Sequence, residues 1–227
     1  MKKYDLNIKD LEVVVFDWDN TLAESRTALV YAVNKVLAEY GLKDWEVEKQ
    51  KRNNDLSFKD NFVNIFGANA EIAYEKYRKI YLQNVDRLIS TFPKTCDVLH
   101  FFKKHNIRLM IMSNKERMLL EYELPILFDP NLFDNVVCGH EAKKDKPYAD
   151  HLLWTIKDVV LKEKINTKNV WVVGDSPQDS MCAQNAGARA IRIGDSIWGD
   201  EANYNDEVWF FNSFVDFYDS LLLSNSK

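Results

Sequence analysis

The run Val13-Val14-Val15-Phe16 is apolar at every position and stops directly on Asp17-Trp18-Asp19-Asn20-Thr21. A short apolar run without alternation has no face to offer water, so it reads as a strand of a parallel sheet covered on both sides. In open α/β sheets, the residues just past the carboxyl end of such a strand are where ligands meet the chain. Two carboxylates one residue apart at that point repel. At about 4 Å the cost is about 1 kcal/mol in water and about 4 at an effective dielectric of 20. A site that keeps both ionised needs a cation, or else it holds one of the two as the acid. The competing reading is a solvated turn whose Asp side chains cap the next helix.

Three further runs have the same form. Arg108-Leu109-Met110-Ile111-Met112 ends in Ser113-Asn114, where a hydroxyl and a backbone N–H can both donate to an anion; an ordinary turn or helix cap would use the same residues. Val136-Val137-Cys138 is followed by Lys143-Lys144-Asp145-Lys146-Pro147. The proline fixes the chain beside Lys146, so that lysine can be aimed, whereas Lys143 and Lys144 read as solvated charge. Val170-Trp171-Val172-Val173-Gly174 leads into Asp175-Ser176-Pro177-Gln178-Asp179. Here Ser176 as N-cap, Pro177 at the first helical position and Asp179 two further on form a capping arrangement. That leaves Asp175, at the strand end and expected to be exposed, without a structural task, and makes it the metal candidate. Gly174 allows a close approach.

The order D-x-D-x-T, S-N, K-P, G-D-x-x-x-D resembles the haloacid dehalogenase superfamily of phosphohydrolases over nearly the whole chain. Within it the layout is similar to the phosphoglycolate-phosphatase-like branch, which has a helical cap inserted after the first motif. Ile107 to Lys115 and Val170 to Ile193, including Asn185-Ala186-Gly187-Ala188, carry that likeness. Four positions depart from it. Asn20 stands where the branch has glycine, a residue that still tolerates unusual backbone angles. Trp18 lies between the carboxylates, where core packing is expected. Pro93-Lys94 replaces Pro-Gly, and Lys146-Pro147-Tyr148-Ala149 lacks a second proline.

The resemblance implies a doubly wound, Rossmann-like α/β core and hydrolysis of a small phosphorylated metabolite with Mg²⁺. Asp17 would be the nucleophile that forms an aspartyl phosphate, and Asp19 the general acid and base. Lys146, Ser113, the Asn114 amide and Thr21 would hold the transferring group. The metal would take the Asp17 carboxylate, the Asp19 backbone carbonyl and the Asp175 carboxylate, with Asp179 supporting through water or Lys146. A haloacid dehalogenase has no need of the second acid, so Asp19 counts against that alternative. A phosphomutase keeps both acids, and Thr21 favours hydrolysis over it. A non-catalytic binding protein of the same fold would not be expected to keep every catalytic group.

About ninety residues separate Asp19 from Ser113, far more than the dozen or so that a parallel crossover needs. The excess reads as helical. Thr27–Tyr40 carries a helix-period stripe through Leu29, Val30, Val33, Val36 and Leu37 and stops at Gly41. Ser57–Phe66 and Ala70–Ile89 are expected as two more helices, their aromatic stripes serving as cap core. The expected division is 1–23 and 93–227 as core, 24–92 as cap. The polar loop Lys51 to Asp55 is the part expected to face the site, with Arg52 as its contact to substrate. Beyond Ser113, the pattern predicts helices over Lys115–Leu124, Asp150–Lys162 and Phe214–Leu223, and strands over Ala190–Ile193 and Val208–Phe211.

A chain of 227 residues accommodates one sizeable α/β core and a modest insertion. No apolar run approaches the roughly 20 residues of a membrane helix. The start, Met1-Lys2-Lys3-Tyr4-Asp5, has no apolar region behind its lysines, so a cytoplasmic protein is expected. Cys96, Cys138 and Cys182 are widely spaced and suggest neither a disulfide framework nor a zinc site. A net charge of −5 argues against broad nucleic-acid binding. His100, His105, His140 and His151 are expected at surface positions without a chemical role.

Overall fold

The computed structural model describes residues 4–53, 56–196 and 207–225. The chain runs β1 (Val13–Phe16), β2 (Ala23–Glu24), α1 (Arg26–Glu39), α2 (Trp45–Glu48), α3 (Phe62–Phe66), α4 (Ala70–Leu82), α5 (Val85–Leu88), β3 (Ser90–Thr91), α6 (Thr95–Lys104) and β4 (Arg108–Met112). It continues with α7 (Arg117–Leu127), β5 (Asn135–Val137), α8 (Ala149–Thr155), β6 (Val170–Gly174), α9 (Pro177–Ala186), β7 (Arg189–Ile193), β8 (Trp209–Phe211) and α10 (Phe214–Ser224). Among the described residues, no helix is long and apolar enough to cross a membrane.

Six parallel strands form one sheet in the order β5-β4-β1-β6-β7-β8. The strand order reverses between β1 and β6, which opens a crevice at their carboxyl ends. Asp17 follows β1 and Asp175 follows β6, so both acids enter that crevice. Alternate residues of each strand serve opposite faces. Val14, Phe16, Leu109, Ile111, Trp171 and Val173 join the side packed by Phe102 of α6 and Phe217 of α10. Val13, Val15, Met110, Met112, Val170 and Val172 join the side packed by Leu152 of α8 and Cys182 of α9. Coverage on both faces is why these strands are apolar throughout.

The segment between β1 and α6 departs and returns as the two-stranded β2–β3 ribbon, Ala23 opposite Thr91 and Glu24 opposite Ser90. Between those strands lie α1 to α5, joined by an aromatic cluster in which Phe58, Phe62, Tyr74 and Tyr77 stand 5.0 to 5.7 Å apart by ring centroid.

Several element bounds differ from expectation, each for a local reason. The helix expected over Ser57–Phe66 is confined to Phe62–Phe66. The Asn61 amide donates to the carbonyls of Asn53, Leu56 and Ser57 and its oxygen accepts from Asn53 N–H, so side-chain bonds replace the helical ladder there. The long helix over Ala70–Ile89 breaks at Gln83–Asn84, where the Asn84 amide turns back to the Ile80 carbonyl. The one over Asp150–Lys162 ends at Thr155, whose carbonyl accepts from Asn135. The helix expected to stop at Leu124 runs to Leu127 with Pro125 inside its last turn.

Candidate active site

Asp17, Asp175 and Asp179 are all buried, and their carboxylate atoms lie within 4.8 Å of one another. Asp175 is thus enclosed, against the exposure expected for it; the Asn20 amide closes over it, donating to Oδ2 at 2.9 Å and to the Asp195 carbonyl at 2.9 Å. Asn20 does this from a left-handed backbone, φ 58°, the conformation a glycine would otherwise supply. Asp179 sits in the first turn of α9, where its Oδ2 accepts from the Ser176 N–H at 3.0 Å and the Ser176 hydroxyl at 2.6 Å. Gly174 makes room for it: a Cβ there would stand 2.3 Å from the Asp179 Cγ.

Lys146 bridges the nucleophile candidate and the helix cap, with Nζ at 2.6 Å from both Asp17 Oδ1 and Asp179 Oδ1. Its own backbone is gripped on two sides. Asn114 donates from Nδ2 to the Lys146 carbonyl at 3.0 Å and accepts the Lys146 N–H on Oδ1 at 3.1 Å, and His151 Nδ1 also accepts that N–H at 3.2 Å. The Lys146–Pro147 peptide is cis. His151 is fully buried, which corrects its expected surface position; the expectation failed because only the folded loop brings the Lys146 amide onto the ring.

Burial pushes Asp17 up to about 7; Lys146 opposes the shift, while Asp179 and Asp19 add to it. Burial disfavours the Lys146 ammonium, but Asp17 and Asp179 outweigh it and hold Lys146 above the ordinary lysine range. Burial, helped by the Lys146 charge, depresses His151 to about 3, so the ring is neutral.

Asp19 keeps its carboxylate apart from the acid triad. Oδ1 accepts from Lys115 Nζ at 2.7 Å and from the Ser25 hydroxyl at 2.6 Å. Thr21 is buried against the nucleophile, its hydroxyl 3.4 Å from Asp17 Oδ2. Ser113 accepts the Lys115 N–H on its hydroxyl oxygen. A cavity of about 70 Å³ is lined by Asp17, Asp19, Ser113, Asn114, Lys146 and Asp175 together with Arg52 and Lys59 from the inserted segment. Of the polar loop expected to face the site, Arg52 reaches this cavity, while Asn54 and Asp55 lie outside the described residues, as do Met1, Lys2 and Lys3 of the opening segment. The aromatic residues expected only as cap core also line it, through Phe58, Tyr74 and Tyr77.

Sequence reasoning did not find Lys115, Glu123 or Ser25. Glu123 is fully buried on α7, its Oε2 accepting from Trp18 Nε1 at 2.6 Å and its Oε1 ion-paired to Lys115 at 2.8 Å. Glu123 occupies the apolar face that Leu119, Leu120 and Leu124 define. An acid on a helix's buried stripe requires a partner, which is the signal that was available.

A family model described as haloacid dehalogenase-like hydrolase matches residues 14–193. The chain is 26% identical to a phosphoglycolate phosphatase of Aquifex aeolicus, across 83% of this chain and 86% of that protein. It is 22% identical to the pyrophosphatase PpaX of Oceanobacillus iheyensis, across 86% of this chain and 87% of the relative. Among solved structures, CbbY from Rhodobacter sphaeroides in complex with phosphate superposes with a TM-score of 0.76 at 17% identity, over 91% of this chain and 96% of that one. At that identity, the likeness establishes the fold.

Proposed function

This chain belongs to the haloacid dehalogenase-like hydrolase family, and we propose that it is a Mg²⁺-dependent phosphatase that cleaves small phosphate esters through a phosphorylated Asp17. The observation that carries this reading is the acid triad of the crevice: Asp17, Asp175 and Asp179 are buried with carboxylate oxygens within 4.8 Å of one another, and Lys146 pairs with two of them, Asp17 and Asp179. Carboxylates held this close in a buried place repel one another, and their ionised form is costly there without a cation. A hard divalent cation suits such an oxygen donor set. The carboxylates of Asp17 and Asp175 and the backbone carbonyl of Asp19 would hold it, with Asp179 acting through Lys146. When bound, the ion supplies the positive charge that keeps Asp17 ionised and lets an anionic nucleophile approach an anionic phosphoryl group.

The chain's own residues do the rest. An Asp17 oxygen bonds to phosphorus as the ester P–O bond breaks, and Asp19 gives its proton to the departing alkoxide. Asp19 then takes a proton from the water that attacks phosphorus, the Asp17–phosphorus bond breaks, and inorganic phosphate leaves. Ser113, the Asn114 N–H and Lys146 receive the equatorial oxygens, an electrostatic cradle for the charge of the transition state. Thr21 steadies Asp17.

Residues 24–92 act as a cap over a core formed by 1–23 and 93–227. Closing such a lid excludes water and adds contacts to the substrate. The two named relatives point to phosphoglycolate and to pyrophosphate, both of which carry a second anionic group beside the phosphoryl that is cleaved. Arg52 and Lys59 bring cationic side chains to the same small cavity, which supports a substrate of that class. The test is phosphate release from p-nitrophenyl phosphate, 2-phosphoglycolate and inorganic pyrophosphate, with and without Mg²⁺. Metal-dependent release that favours a substrate with a second anionic group is expected. Release that ignores Mg²⁺, or none from any ester, would overturn the proposal.

A further inference from the structure

The network around Lys115 is larger than a surface lysine needs and lies outside the acid triad. Its side chain is only 6% exposed. The ammonium sits 2.7 Å from Asp19 Oδ1, 2.8 Å from Glu123 Oε1 and 3.0 Å from the Tyr81 hydroxyl, and 4.8 Å above the Tyr81 ring. The Tyr81 hydroxyl accepts from this ammonium, and Glu123 is anchored by the Trp18 indole. Tyr81 lies on α4, within the inserted segment, whereas Lys115 and Glu123 follow β4 and Trp18 and Asp19 follow β1. Three separate parts of the chain therefore meet on one ammonium. Asp19 and the Tyr81 hydroxyl accept hydrogen bonds from it and Glu123 pairs with its charge, which together fix the side chain.

The consequence falls on Asp19. Lys115 and Ser25 both donate to Oδ1, so the carboxylate is clamped at one oxygen and Oδ2 is left for the proton that travels to or from the leaving group. We infer that Lys115 is a positioning residue for the general acid, and that Tyr81 makes this positioning depend on the cap being seated. This inference rests on the phosphatase reading and deepens it. If Lys115 served only to neutralise Glu123 in the core, its loss would slow every substrate alike. If it orients Asp19, its loss should matter in proportion to how much the leaving group needs a proton.

Phenyl phosphate and p-nitrophenyl phosphate separate these cases, since phenolate has a conjugate acid of pKa about 10 and nitrophenolate leaves without help. The variants are Tyr81→Phe, Lys115→Met, and Lys115→Met combined with Glu123→Gln; the double variant removes both buried charges together and avoids leaving Glu123 unpaired. With Mg²⁺ present, kcat for phenyl phosphate should fall at least about tenfold further than kcat for p-nitrophenyl phosphate in the Lys115 variants, a fraction of the 10²–10⁴ that general acid catalysis supplies. KM should stay within about twofold for both esters, because the group that binds phosphate is untouched. Tyr81→Phe should show the same selective loss, smaller in size. Equal losses on the two esters in all three variants would overturn the inference while leaving the phosphatase reading intact. No metal-dependent release by the wild type from either ester would overturn the phosphatase reading and this inference with it.

Discussion

Gly174→Ala puts a methyl group where the Asp179 side chain now lies. The added Cβ would stand 2.3 Å from Cγ, 2.4 Å from Oδ2 and 2.5 Å from Cβ of Asp179, against the 3.4 to 4 Å of an ordinary contact. Asp179 must therefore retreat by about 1 Å or more, and it is not a free side chain: it accepts from Ser176 on one oxygen and from Lys146 on the other. A 1 Å retreat stretches the 2.6 Å bond to Lys146 beyond hydrogen-bond range. Lys146, released on that side, no longer has a fixed aim on Asp17. Overpacking of this kind costs about 1 to 3 kcal/mol of stability. A misplacement of about 1 Å in a reacting constellation costs on the order of 10²-fold in rate. The assay is kcat/KM for p-nitrophenyl phosphate with Mg²⁺, paired with urea unfolding of the same preparations. A variant as stable as wild type and within about threefold of its rate would refute the claim that Gly174 exists to admit Asp179.

Asp175→Ala should raise the Mg²⁺ concentration needed for half-maximal activity and lower the maximal rate; Asp179→Ala should do so less, because Asp179 acts through Lys146 and the α9 cap, and identical metal titrations for both variants and wild type would contradict this. Arg52→Ala should weaken kcat/KM for 2-phosphoglycolate by about 1 to 3 kcal/mol, the scale of a charge-assisted hydrogen bond, and barely alter p-nitrophenyl phosphate. Parallel losses on the two substrates would remove Arg52 from recognition of the second anionic group. His151 has a folded-state pKa of about 3 against an ordinary 6.5, so the unfolded chain binds a proton that the folded one refuses. The stability it contributes is full above pH 6.5 and is lost at about 1.4 kcal/mol per pH unit as pH falls toward 3. His151→Gln, which keeps an acceptor for the Lys146 N–H, should flatten the stability profile between pH 6.5 and about 4.5 by about 2 to 3 kcal/mol, and profiles that remain parallel would show that the ring is not held neutral.

Much of this architecture is written in local pattern. Val13–Phe16, Leu109 to Met112 and Val170–Gly174 are buried, and a nearly continuous apolar run is the form that strands covered on both faces take. The polar residues behind them converge because parallel strands align their carboxyl ends, so Asp17, Ser113 and Asp175 could be read as neighbours. What escaped the sequence depends on side-chain contacts that leave no periodic pattern. His151 accepts the Lys146 N–H only five residues back and is fully buried, and nothing in its spacing marks that. Lys115 stands in a run of three charged residues with Glu116 and Arg117 that has the look of surface, and its true partners, Asp19, Tyr81 and Glu123, come from three separate parts of the chain. Asp175 was expected to be exposed because the Asn20 side chain that covers it comes from the loop after β1. The Ser57–Asn61 turn was read as helix because its apolar spacing fits one, while the bonds of Asn61 that forbid it have no periodic signature.

The central claim is that Asp17 itself carries the phosphoryl group. The most direct measurement is rapid acid quench of wild type turning over p-nitrophenyl phosphate with Mg²⁺, followed by peptide mass analysis. One added phosphoryl group on the peptide that contains Asp17 is predicted, together with its absence from Asp17→Asn, which should retain the fold and lose turnover. Sustained phosphate release by Asp17→Asn at a rate within about tenfold of wild type, or a phosphoryl group found on another residue, would contradict it.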